Sequence, residues 1–348
     1  MQAFLILWSN TIVAQTYKKA GVNIESGDRL VHRIKRMVRS TFSKNVLADI
    51  GAFGAFYDAA FSGVKHPVLV SSVDGVGTKL KIAFAVKRYH TVGQDLVNHC
   101  VNDIAVCGAT PLFFMDYFAA GKLSPPVAEK VIEGFVTACR QNSCSLIGGE
   151  TAEMPGFYAR GEFDLAGTIV GIVEKEKIVD GRSIRRGDVL IGLRSTGLHT
   201  NGYSLARHVL LPRYPLNRKM KELGSTLGNS LMAVHRSYLS PISLLLKSRV
   251  ARLVSGMSHI TGGGIVGNTM RIVPRGLRVA IDWNAWRRPE LFSLIQHAGN
   301  VPEQDMRRTF NLGIGLIVIV PKRKADDAVA LLSGHGEEPL VIGEVVKR

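Results

Sequence analysis

The chain has 348 residues, of which 46% are hydrophobic and 21% charged, the composition of a globular protein. Two domains are expected, because this length is large for a single hydrophobic core. No stretch approaches the roughly 20 apolar residues of a membrane span, so we expect no membrane partner. The formal charge of +16 fits nucleic acid, anionic lipid or phosphorylated small molecules as partners, or simply a basic proteome. The absence of zinc-finger spacing, an RNA-recognition motif and a basic tail disfavours nucleic acid.

The four cysteines indicate a reducing compartment. They are Cys100, Cys107, Cys139 and Cys144. None forms a Cys-x-x-Cys pair and all lie in apolar sequence, so we expect buried free thiols and a cytoplasmic location. Residues 1–16 contain an apolar patch, but no basic residue precedes Lys18. A secretory signal needs that positive region, so we interpret residues 1–16 as a loose extension.

The first predicted helix covers residues 26–39, where apolar residues recur at helical spacing and Ser26 is the expected N-cap. Its other face is basic, which is typical of a solvated helix surface. The small-residue loop 49–56 follows, and it either turns the chain or lies against a ligand.

A buried strand is predicted from residue 67 to residue 73, and it runs into the sequence DGVGTKL at residues 74–80. The strand is predicted to end at Asp74 and the chain to turn on Gly75 and Gly77. A carboxylate there, bare glycine backbone and Lys79 form a combination suited to Mg²⁺ and phosphate. The spacing matches neither a Walker A loop nor a dinucleotide fingerprint. From these seven residues alone, a tight turn with a solvated lysine is an equally good interpretation.

The next helix is predicted over residues 92–107 and carries a polar row. Asp95, His99, Asn102 and Asp103 follow at i, i+4, i+7 and i+8, so they share one face over two turns. Two carboxylates, an amide and an imidazole beside an apolar stripe are more than a solvated face requires. We favour a row that faces a ligand.

A strand at 112–118, a helix at 126–141 and a strand at 144–147 follow, and the last leads into GGETAEMPG at 148–156. Glu150 is thus a second carboxylate placed after an apolar strand and glycines. Oxygen ligands from separate elements are what a divalent cation bridging phosphates requires.

A strand at 165–173 ends the first half, and the charged segment 174–188 is interpreted as the domain boundary. The second half restarts with a strand at 189–193 and a polar, glycine-bearing turn. Further on, three glycines at 262–264 precede a helix-like run at residues 265–273. Bare backbone N–H groups there suit a phosphate, although a flexible turn is the simpler alternative.

Six motifs together resemble one family. They are DGVGTKL, CVNDIAVCGA, GGETAEMPG, STGLHTNGYSL, SHITGGG and TFNLGIGL. Their order and spacing are similar to those of the aminoimidazole ribonucleotide synthetases, or phosphoribosylformylglycinamidine cyclo-ligases, from about Tyr17 nearly to the carboxyl terminus. The resemblance implies ATP- and Mg²⁺-dependent ring closure on a small ribonucleotide, formylglycinamidine ribonucleotide, in purine biosynthesis.

The resemblance also implies an α+β (mixed α/β) fold with two domains. Residues 17–173 would form an amino-terminal domain that binds ATP and whose sheet joins that of a second subunit in one barrel, making a homodimer. Residues 174–348 would form a carboxy-terminal sheet-and-helix domain on the substrate side.

Site residues follow from the same resemblance. Mg²⁺ would be held by Asp74, Asp103 and Glu150. ATP would contact Lys35, Gly51, Phe53, Gly54, Gly75, Gly77, Thr78, Lys79 and Asp95. The substrate would contact His199, Thr200, Asn201, His259, Thr261, Gly262, Gly263 and Gly264. Asp74, Lys79 and His199 are the catalytic candidates, and for His199 the only support from chemistry is the ordinary pKa of an imidazole.

Other members of the same superfamily and a nucleic-acid-binding protein are the alternative predictions. Selenophosphate synthetase needs a reactive cysteine near the amino-terminal glycine loop, whereas the first cysteine here is Cys100 in a helix. Thiamine phosphate kinase lacks the GGETAEMPG and HTNGYS sequences, and the glutamine-dependent relative has a glutaminase domain or partner. A basic nucleic-acid-binding protein would leave the strand-end carboxylates unexplained.

Overall fold

A computed structural model describes residues 23–51, 53–248 and 254–348 of the chain. The predicted extension 1–16 and the start of the resemblance at Tyr17 lie outside these residues. The helices are α1 Ile24–Arg39, α2 Leu80–Val86, α3 His90–Ala105, α4 Pro125–Gln141, α5 Tyr203–Leu210, α6 Leu227–Leu231, α7 Leu239–Lys247, α8 Gly264–Thr269, α9 Glu290–Gly299, α10 Glu303–Thr309 and α11 Ala325–Gly334. The strands are β1 Pro67–Gly75, β2 Thr110–Ala120, β3 Ser145–Glu153, β4 Phe163–Glu174, β5 Val189–Arg194, β6 Lys219–Met220, β7 Ser225–Thr226, β8 Gly256–His259, β9 Leu277–Ile281, β10 Ile314–Val320 and β11 Leu340–Lys347.

The first sheet has the strand order β1-β4-β2-β3. Only β2 and β3 are parallel within it, and the helix α4 makes the crossover between them. Helices α3 and α4 cover one face of this sheet, because β1 and β4 turn alternate residues toward them. The opposite face carries exposed apolar side chains on β1, with Leu69 64% and Val73 67% exposed.

Helices α3 and α4 approach each other through two glycines. A Cβ at Gly93 would lie 2.2 Å from the carbonyl oxygen of Val131, and one at Gly134 would lie 2.0 Å from that of His90. Any side chain at either position would force the backbones apart. The close approach fixes the position of α3, which carries the polar row predicted from the sequence.

The second sheet is antiparallel with the order β8-β10-β5-β11-β9. Its strand β10, IGLIVIV, lies between β8 and β5 and is buried at every residue, because helices pack on both of its faces. A continuous apolar run is the pattern expected of such a strand. This sheet therefore forms the core of the second half of the chain.

Three predicted elements differ from the structure. The helix α1 begins at Ile24, so Ser26 lies within it and is not the N-cap. The strand β3 continues through the glycines to Glu153, because Gly148 and Gly149 pair with β2. The helix α8 ends at Thr269, where a longer run to residue 273 was predicted. Among the described residues, no helix is long and apolar enough to cross a membrane.

The two sheets are connected by residues 175–188, which contain a short 3₁₀ turn at Lys175–Lys177. The predicted boundary segment therefore lies between the strands β4 and β5. The exact division at residue 174 stays a prediction.

Candidate active site

Asp74 and Asp103, two of the three predicted metal ligands, lie close together where the first domain meets the second. Asp74 is the next-to-last residue of β1, and Asp103 is near the end of α3. His99 Nε2 lies 2.8 Å from Asp74 Oδ2 and 3.8 Å from Asp103 Oδ2. The side chains of Asp74 and Asp103 are 41% and 28% exposed, so both carboxylates are accessible to solvent. We call them the Asp74–Asp103 pair.

Histidines keep the Asp74–Asp103 pair ionised. Burial alone would raise the pKa of Asp74, but its hydrogen bond with His99 and the charge of His99 lower it on balance. Burial opposes the ionisation of Asp103 too, and the hydrogen bond from His259 lowers the pKa of that carboxyl. Two ionised, accessible carboxylates from different elements are hard oxygen ligands, so these residues fit Mg²⁺.

Glu150, the third predicted metal ligand, lies elsewhere. It is on β3, and three strand spacings, or about 14 Å, separate β3 from β1. The structure therefore does not bring Glu150 to the Asp74–Asp103 pair, and one ion cannot contact all three in this arrangement. The prediction of a single three-carboxylate site is wrong because β3 is at the opposite edge of the sheet.

Glu150 instead lines a cavity of about 530 Å³ between α1, the loop after it and the edge of β3. The predicted ATP residues Gly51, Phe53 and Gly54 line the same cavity. Lys35 lies beside it, with Nζ 2.7 Å from Asp49, whose side chain is part of the lining. A cavity of this size, lined by both apolar and polar groups, is typical of a small-molecule site.

Asp116 is a cavity residue that the sequence did not single out. It lies on β2, in register with Gly149. Burial raises the pKa of Asp116 to about 7, and the negative charge of Glu150 contributes to the same shift. We call these two the Asp116–Glu150 pair.

The DGVGTKL sequence forms the end of β1 and a 3₁₀ turn over Gly77–Lys79. Gly77 has a φ of 65°, so a side chain there would be strained, as expected for a sharp turn. Gly75 has no positive φ and belongs to the strand, so its predicted turn is wrong. Thr78 is exposed, and its hydroxyl lies 3.0 Å from Ser204 Oγ of the second domain.

Lys79 does not face an open site. Its ammonium is fully buried, 2.8 Å from Asp95 Oδ2, and it donates a hydrogen bond of 2.7 Å to the carbonyl of Ala233. Burial lowers the pKa of Lys79, while Asp95 opposes that shift. Because both side chains are fully buried against each other, the structure does not place Lys79 and Asp95 where ATP was expected to contact them. The pair joins the two domains instead.

The rest of the predicted polar row shares that role. Asn98 Nδ2 donates to the carbonyl of His235, and Asn102 Nδ2 donates to that of Arg236. Asn102 Oδ1 and Asp95 Oδ1 accept the backbone N–H groups of Tyr238 and His235 respectively. We call this contact between α3 and residues 233–238 the domain seam. The prediction of a ligand-facing row is wrong for Asp95 and Asn102, because a segment of the second domain covers them.

His199 is buried as well. Its ring stacks on His235 with centroids 4.0 Å apart, and Nε2 accepts the N–H of Thr196. Nδ1 has no hydrogen-bond partner among the described residues. Burial holds the pKa of His199 well below its ordinary value. The ordinary imidazole pKa, which was the only chemical support for His199 as a catalytic candidate, therefore does not apply at this buried position, and its catalytic role stays a prediction.

The other predicted substrate residues lie around the Asp74–Asp103 pair. Thr200 Oγ1 is 2.8 Å from His99 Nδ1, and His259 Nδ1 is 2.8 Å from Asp103 Oδ1. Asn201 Nδ2 is buried and lacks a partner within the described ranges, and Asn201 Oδ1 lies 3.2 Å from the Cβ position of Gly262. An amide with an unused donor beside a glycine loop is suited to an anionic ligand group.

The glycine loop is preorganised. Gly263 and Gly264 have φ values of 105° and 69°, which disfavour other residues. Asn268 Nδ2 donates to the carbonyls of Thr261, Gly262 and Gly264 and so holds the loop in place. The simpler interpretation, a flexible turn, does not fit these contacts.

One further residue of the site escaped the sequence analysis. His235 contacts both Thr200 and His259, yet it belongs to none of the six motifs. Its sequence neighbourhood, Ala233–Tyr238, carries no periodic signal. A single histidine between Val234 and Arg236 gives no local indication of its contacts.

Comparison with known proteins decides the family. A protein of Sorangium cellulosum (strain So ce56) named phosphoribosylformylglycinamidine cyclo-ligase is 50% identical to this chain over 333 residues, which is 95% of each chain. The chain belongs to the phosphoribosylformylglycinamidine cyclo-ligase family. A cyclo-ligase of Thermoanaerobacter pseudethanolicus (strain ATCC 33223 / 39E) is 49% identical over 333 residues, 95% of this chain and 97% of that protein.

Family models match the two parts of this cyclo-ligase family member separately. The model of the AIR synthase related protein N-terminal domain matches residues 56–173, and that of its C-terminal domain matches residues 185–348. The first sheet lies in one match and the second sheet in the other, apart from the last residue of β4. The expected mixed α/β fold with two domains of this kind is confirmed.

Solved structures share the fold at low identity. Thiamine-monophosphate kinase from Stenotrophomonas maltophilia K279a has a TM-score of 0.67 at 16% identity, over 92% of this chain and 93% of that one. The hydrogenase maturation protein HypE in complex with ATP has a TM-score of 0.65 at 19% identity, over 92% and 86%. These likenesses concern the cyclo-ligase fold alone.

Proposed function

We propose that this protein catalyses the ATP-dependent cyclisation of formylglycinamidine ribonucleotide to aminoimidazole ribonucleotide, with release of ADP and phosphate, in purine biosynthesis. Its membership of the cyclo-ligase family supports this ligase reaction. The observation that carries the proposal for the site is the convergence of four motifs from both domains. DGVGTKL, CVNDI, HTNGYS and SHITGGG all meet around the Asp74–Asp103 pair.

The Asp74–Asp103 pair would hold Mg²⁺, and the cavity beside Glu150 would take the nucleoside part of ATP. Bound there, Mg²⁺ would neutralise charge on the transferring phosphoryl group. The cavity supports this placement by its size and by its lining from Gly51, Phe53 and Gly54. Gly77, which has a positive φ, and Thr78 are both exposed, so the backbone of this turn would be open to the phosphates.

The second domain would hold the ribonucleotide substrate. The fixed loop of Thr261 to Gly264 and the unused amide donor of Asn201 would bind its phosphate. The formamide oxygen and the amidine would then lie within one cleft, and the closure would be intramolecular. Holding both groups together supplies much of the acceleration that such a reaction needs.

The protein would act as a homodimer. Leu69, Val73 and Tyr117 expose apolar surface on the open face of the first sheet, at 64%, 67% and 38%. Exposed apolar patches of this kind mark interaction surfaces. Two such sheets facing each other would form the barrel implied by the resemblance. Val73→Asp should then yield a monomer by light scattering, whereas an unchanged dimer would place the contact elsewhere.

The reaction is tested with purified protein, ATP, Mg²⁺ and formylglycinamidine ribonucleotide. We expect equal amounts of ADP and aminoimidazole ribonucleotide, and ADP formation should require the ribonucleotide. Thiamine monophosphate is the control substrate, because the thiamine-monophosphate kinase shares the fold. ADP formation with thiamine monophosphate and not with the ribonucleotide would overturn the proposal.

The basic surplus would serve anionic ligands and general surface charge. A nucleic-acid interface would lose affinity steeply with salt, because each neutralised phosphate releases counterions. Tight binding of duplex or single strands at physiological salt would contradict this view. A cytoplasmic location stays a prediction from the four free thiols.

A further inference from the structure

A continuous series of hydrogen bonds links the two carboxylates of the Asp74–Asp103 pair through the second domain. We call it the histidine chain. It runs through six groups in this order: Asp74, His99, Thr200, His235, His259 and Asp103. The two ends belong to the first domain, and three of the four groups between them belong to the second.

The first half of the histidine chain starts at β1. His99 Nε2 is 2.8 Å from Asp74 Oδ2, and His99 Nδ1 is 2.8 Å from Thr200 Oγ1. The same hydroxyl oxygen lies 3.4 Å from His235 Nδ1. Thr200 is therefore the point at which the chain crosses from one domain to the other.

The second half returns to α3. His235 Nε2 is 3.0 Å from His259 Nε2, and His259 Nδ1 is 2.8 Å from Asp103 Oδ1. Ser72 Oγ donates to the other oxygen of Asp103 at 3.0 Å. Both imidazole nitrogens of each histidine in the histidine chain therefore have a hydrogen-bond partner.

The contacts assign a direction to each bond. Carboxylates only accept, so His259 donates from Nδ1 and a neutral His259 accepts at Nε2. His235 then donates from Nε2 and accepts the Thr200 hydroxyl at Nδ1. The Thr200 oxygen is left to accept from His99, which donates from both nitrogens. Every group in the histidine chain has a partner in this arrangement. The amide donor Asn102 Nδ2 lies 3.5 Å from His259 Nε2, the accepting nitrogen, and 3.3 Å from His235 Nε2.

His235 is fixed independently of the chain. Asp95 accepts its backbone N–H at 2.7 Å, and Asn98 donates to its carbonyl at 2.7 Å. The ring is fully buried and stacks on His199. The domain seam therefore sets the position of this imidazole, and the imidazole in turn sets the positions of Thr200 and His259.

We propose that His235 and Thr200 are positioning residues of the cyclo-ligase reaction, which hold the Asp74–Asp103 pair at the spacing that a divalent cation needs. The inference rests on the proposed function for the role of that pair. Groups that orient metal-binding side chains from behind commonly change metal affinity 10- to 100-fold when removed. Neither His235 nor Thr200 needs to touch the cation or the substrate for this effect.

The test measures Mn²⁺ binding directly, as loss of the electron paramagnetic resonance signal of free Mn²⁺. Thr200→Val removes the hydroxyl but keeps the shape, and we expect it to weaken binding about tenfold or more. Thr200→Ser restores the hydroxyl and should bind as the wild type does. His235→Leu should weaken binding to a similar extent. The Mg²⁺ concentration at half-maximal turnover should shift in parallel.

Ser237→Ala is the matched control. Ser237 lies in the domain seam, where its hydroxyl donates to Asn142, but it is not part of the histidine chain. Wild-type Mn²⁺ affinity in Thr200→Val, or equal weakening in Thr200→Val and Ser237→Ala, would overturn the proposal. Thr200→Val carries the test on its own if His235→Leu does not fold. Aminoimidazole ribonucleotide formation by the wild type tests the proposed function separately.

Discussion

The Asp74–Asp103 pair and the Asp116–Glu150 pair lie on the same sheet but differ in charge. Histidines lower the pKa values of both Asp74 and Asp103. Asp116 has no such partner in the described part of the chain, and burial raises its pKa to about 7. One pair is thus fully ionised at neutral pH, and the other holds a carboxyl that is partly protonated.

Asp95 extends the comparison to complete burial. It is 0% exposed, and burial raises its pKa, while Lys79 opposes that shift with an ammonium 2.8 Å away. In the two aspartate pairs and Asp95, the neighbouring charged groups affect the charge of a carboxyl more than its degree of burial does. An imidazole that leaves the carboxylate accessible suits a metal site, whereas a buried lysine suits a permanent joint between domains.

The largest effect is expected from breaking the buried pair. Lys79→Ala should destabilise the protein by about 3–5 kcal/mol, because Asp95 would remain buried without its cation. Urea unfolding measures this loss. Lys79→Met combined with Asp95→Asn should recover most of it, since the amide still accepts the N–H of His235. Wild-type stability in Lys79→Ala together with weaker ATP binding would restore the interpretation of Lys79 as a phosphate ligand.

The next effect concerns the ionised pair. Asp74→Asn keeps the shape of the side chain and removes its charge, so turnover should fall about 10²–10³-fold with the fold retained. Asp164→Asn is the matched control, because Asp164 is an exposed strand residue whose carboxylate also accepts the next backbone N–H. Near-normal turnover of Asp74→Asn at saturating Mg²⁺ would rule out Asp74 as a ligand.

The cavity pair should give a pH-dependent effect on stability. Between its ordinary pKa of 3.8 and its folded value of about 7, Asp116 binds a proton in the folded state that the unfolded chain has released. The contribution of Asp116 to stability therefore falls as pH rises through this range. Asp116→Asn should raise the thermal midpoint by about 2–6 °C at pH 8. The gain should vanish near pH 4, and a gain independent of pH would contradict the shift.

The smallest effect is expected from removing the Ser72 hydroxyl, the neutral hydrogen-bond partner of Asp103. Ser72→Ala removes one hydrogen bond to Asp103, which keeps its contact with His259. We expect the Mg²⁺ concentration at half-maximal turnover to rise about two- to fivefold. A larger shift than in Thr200→Val would mean that the histidine chain matters less than this hydroxyl.

Much of the fold was predictable because periodic patterns are local. The helix predicted at 126–141 is observed as α4 Pro125–Gln141, and the strand predicted at 189–193 is observed as β5 Val189–Arg194. The strand β3 was predicted too short, because Gly148 and Gly149 carry a turn signal in isolation. Pairing with β2 supplies their hydrogen bonds, and that pairing is a property of the sheet.

The site was predictable where a motif places its residues in one cleft, as for Asp74, Asp103, Thr200 and His259. It was not predictable where the outcome depends on how the domains dock. The sequence alone predicts that Lys79 is solvated or binds phosphate. In the structure, the carbonyl of Ala233 and the carboxylate of Asp95 contact its ammonium. The sequence alone predicts that Glu150 and Asp74 share a metal site. In the structure, the strand order places them at opposite edges of the sheet.

The domain seam has a consequence for how freely its two sides can vary during evolution. One side consists of α3 together with Lys79 just before α2, and it uses the side chains of Lys79, Asp95, Asn98 and Asn102 in five hydrogen bonds. In these five the other side uses only backbone atoms of residues 233–238, and the side chains of His235 and Ser237 add further contacts. Most side-chain replacements within 233–238 would leave these five hydrogen bonds intact, except proline where an N–H donates. The helix side tolerates few changes, so mutations should accumulate unequally across the same contact.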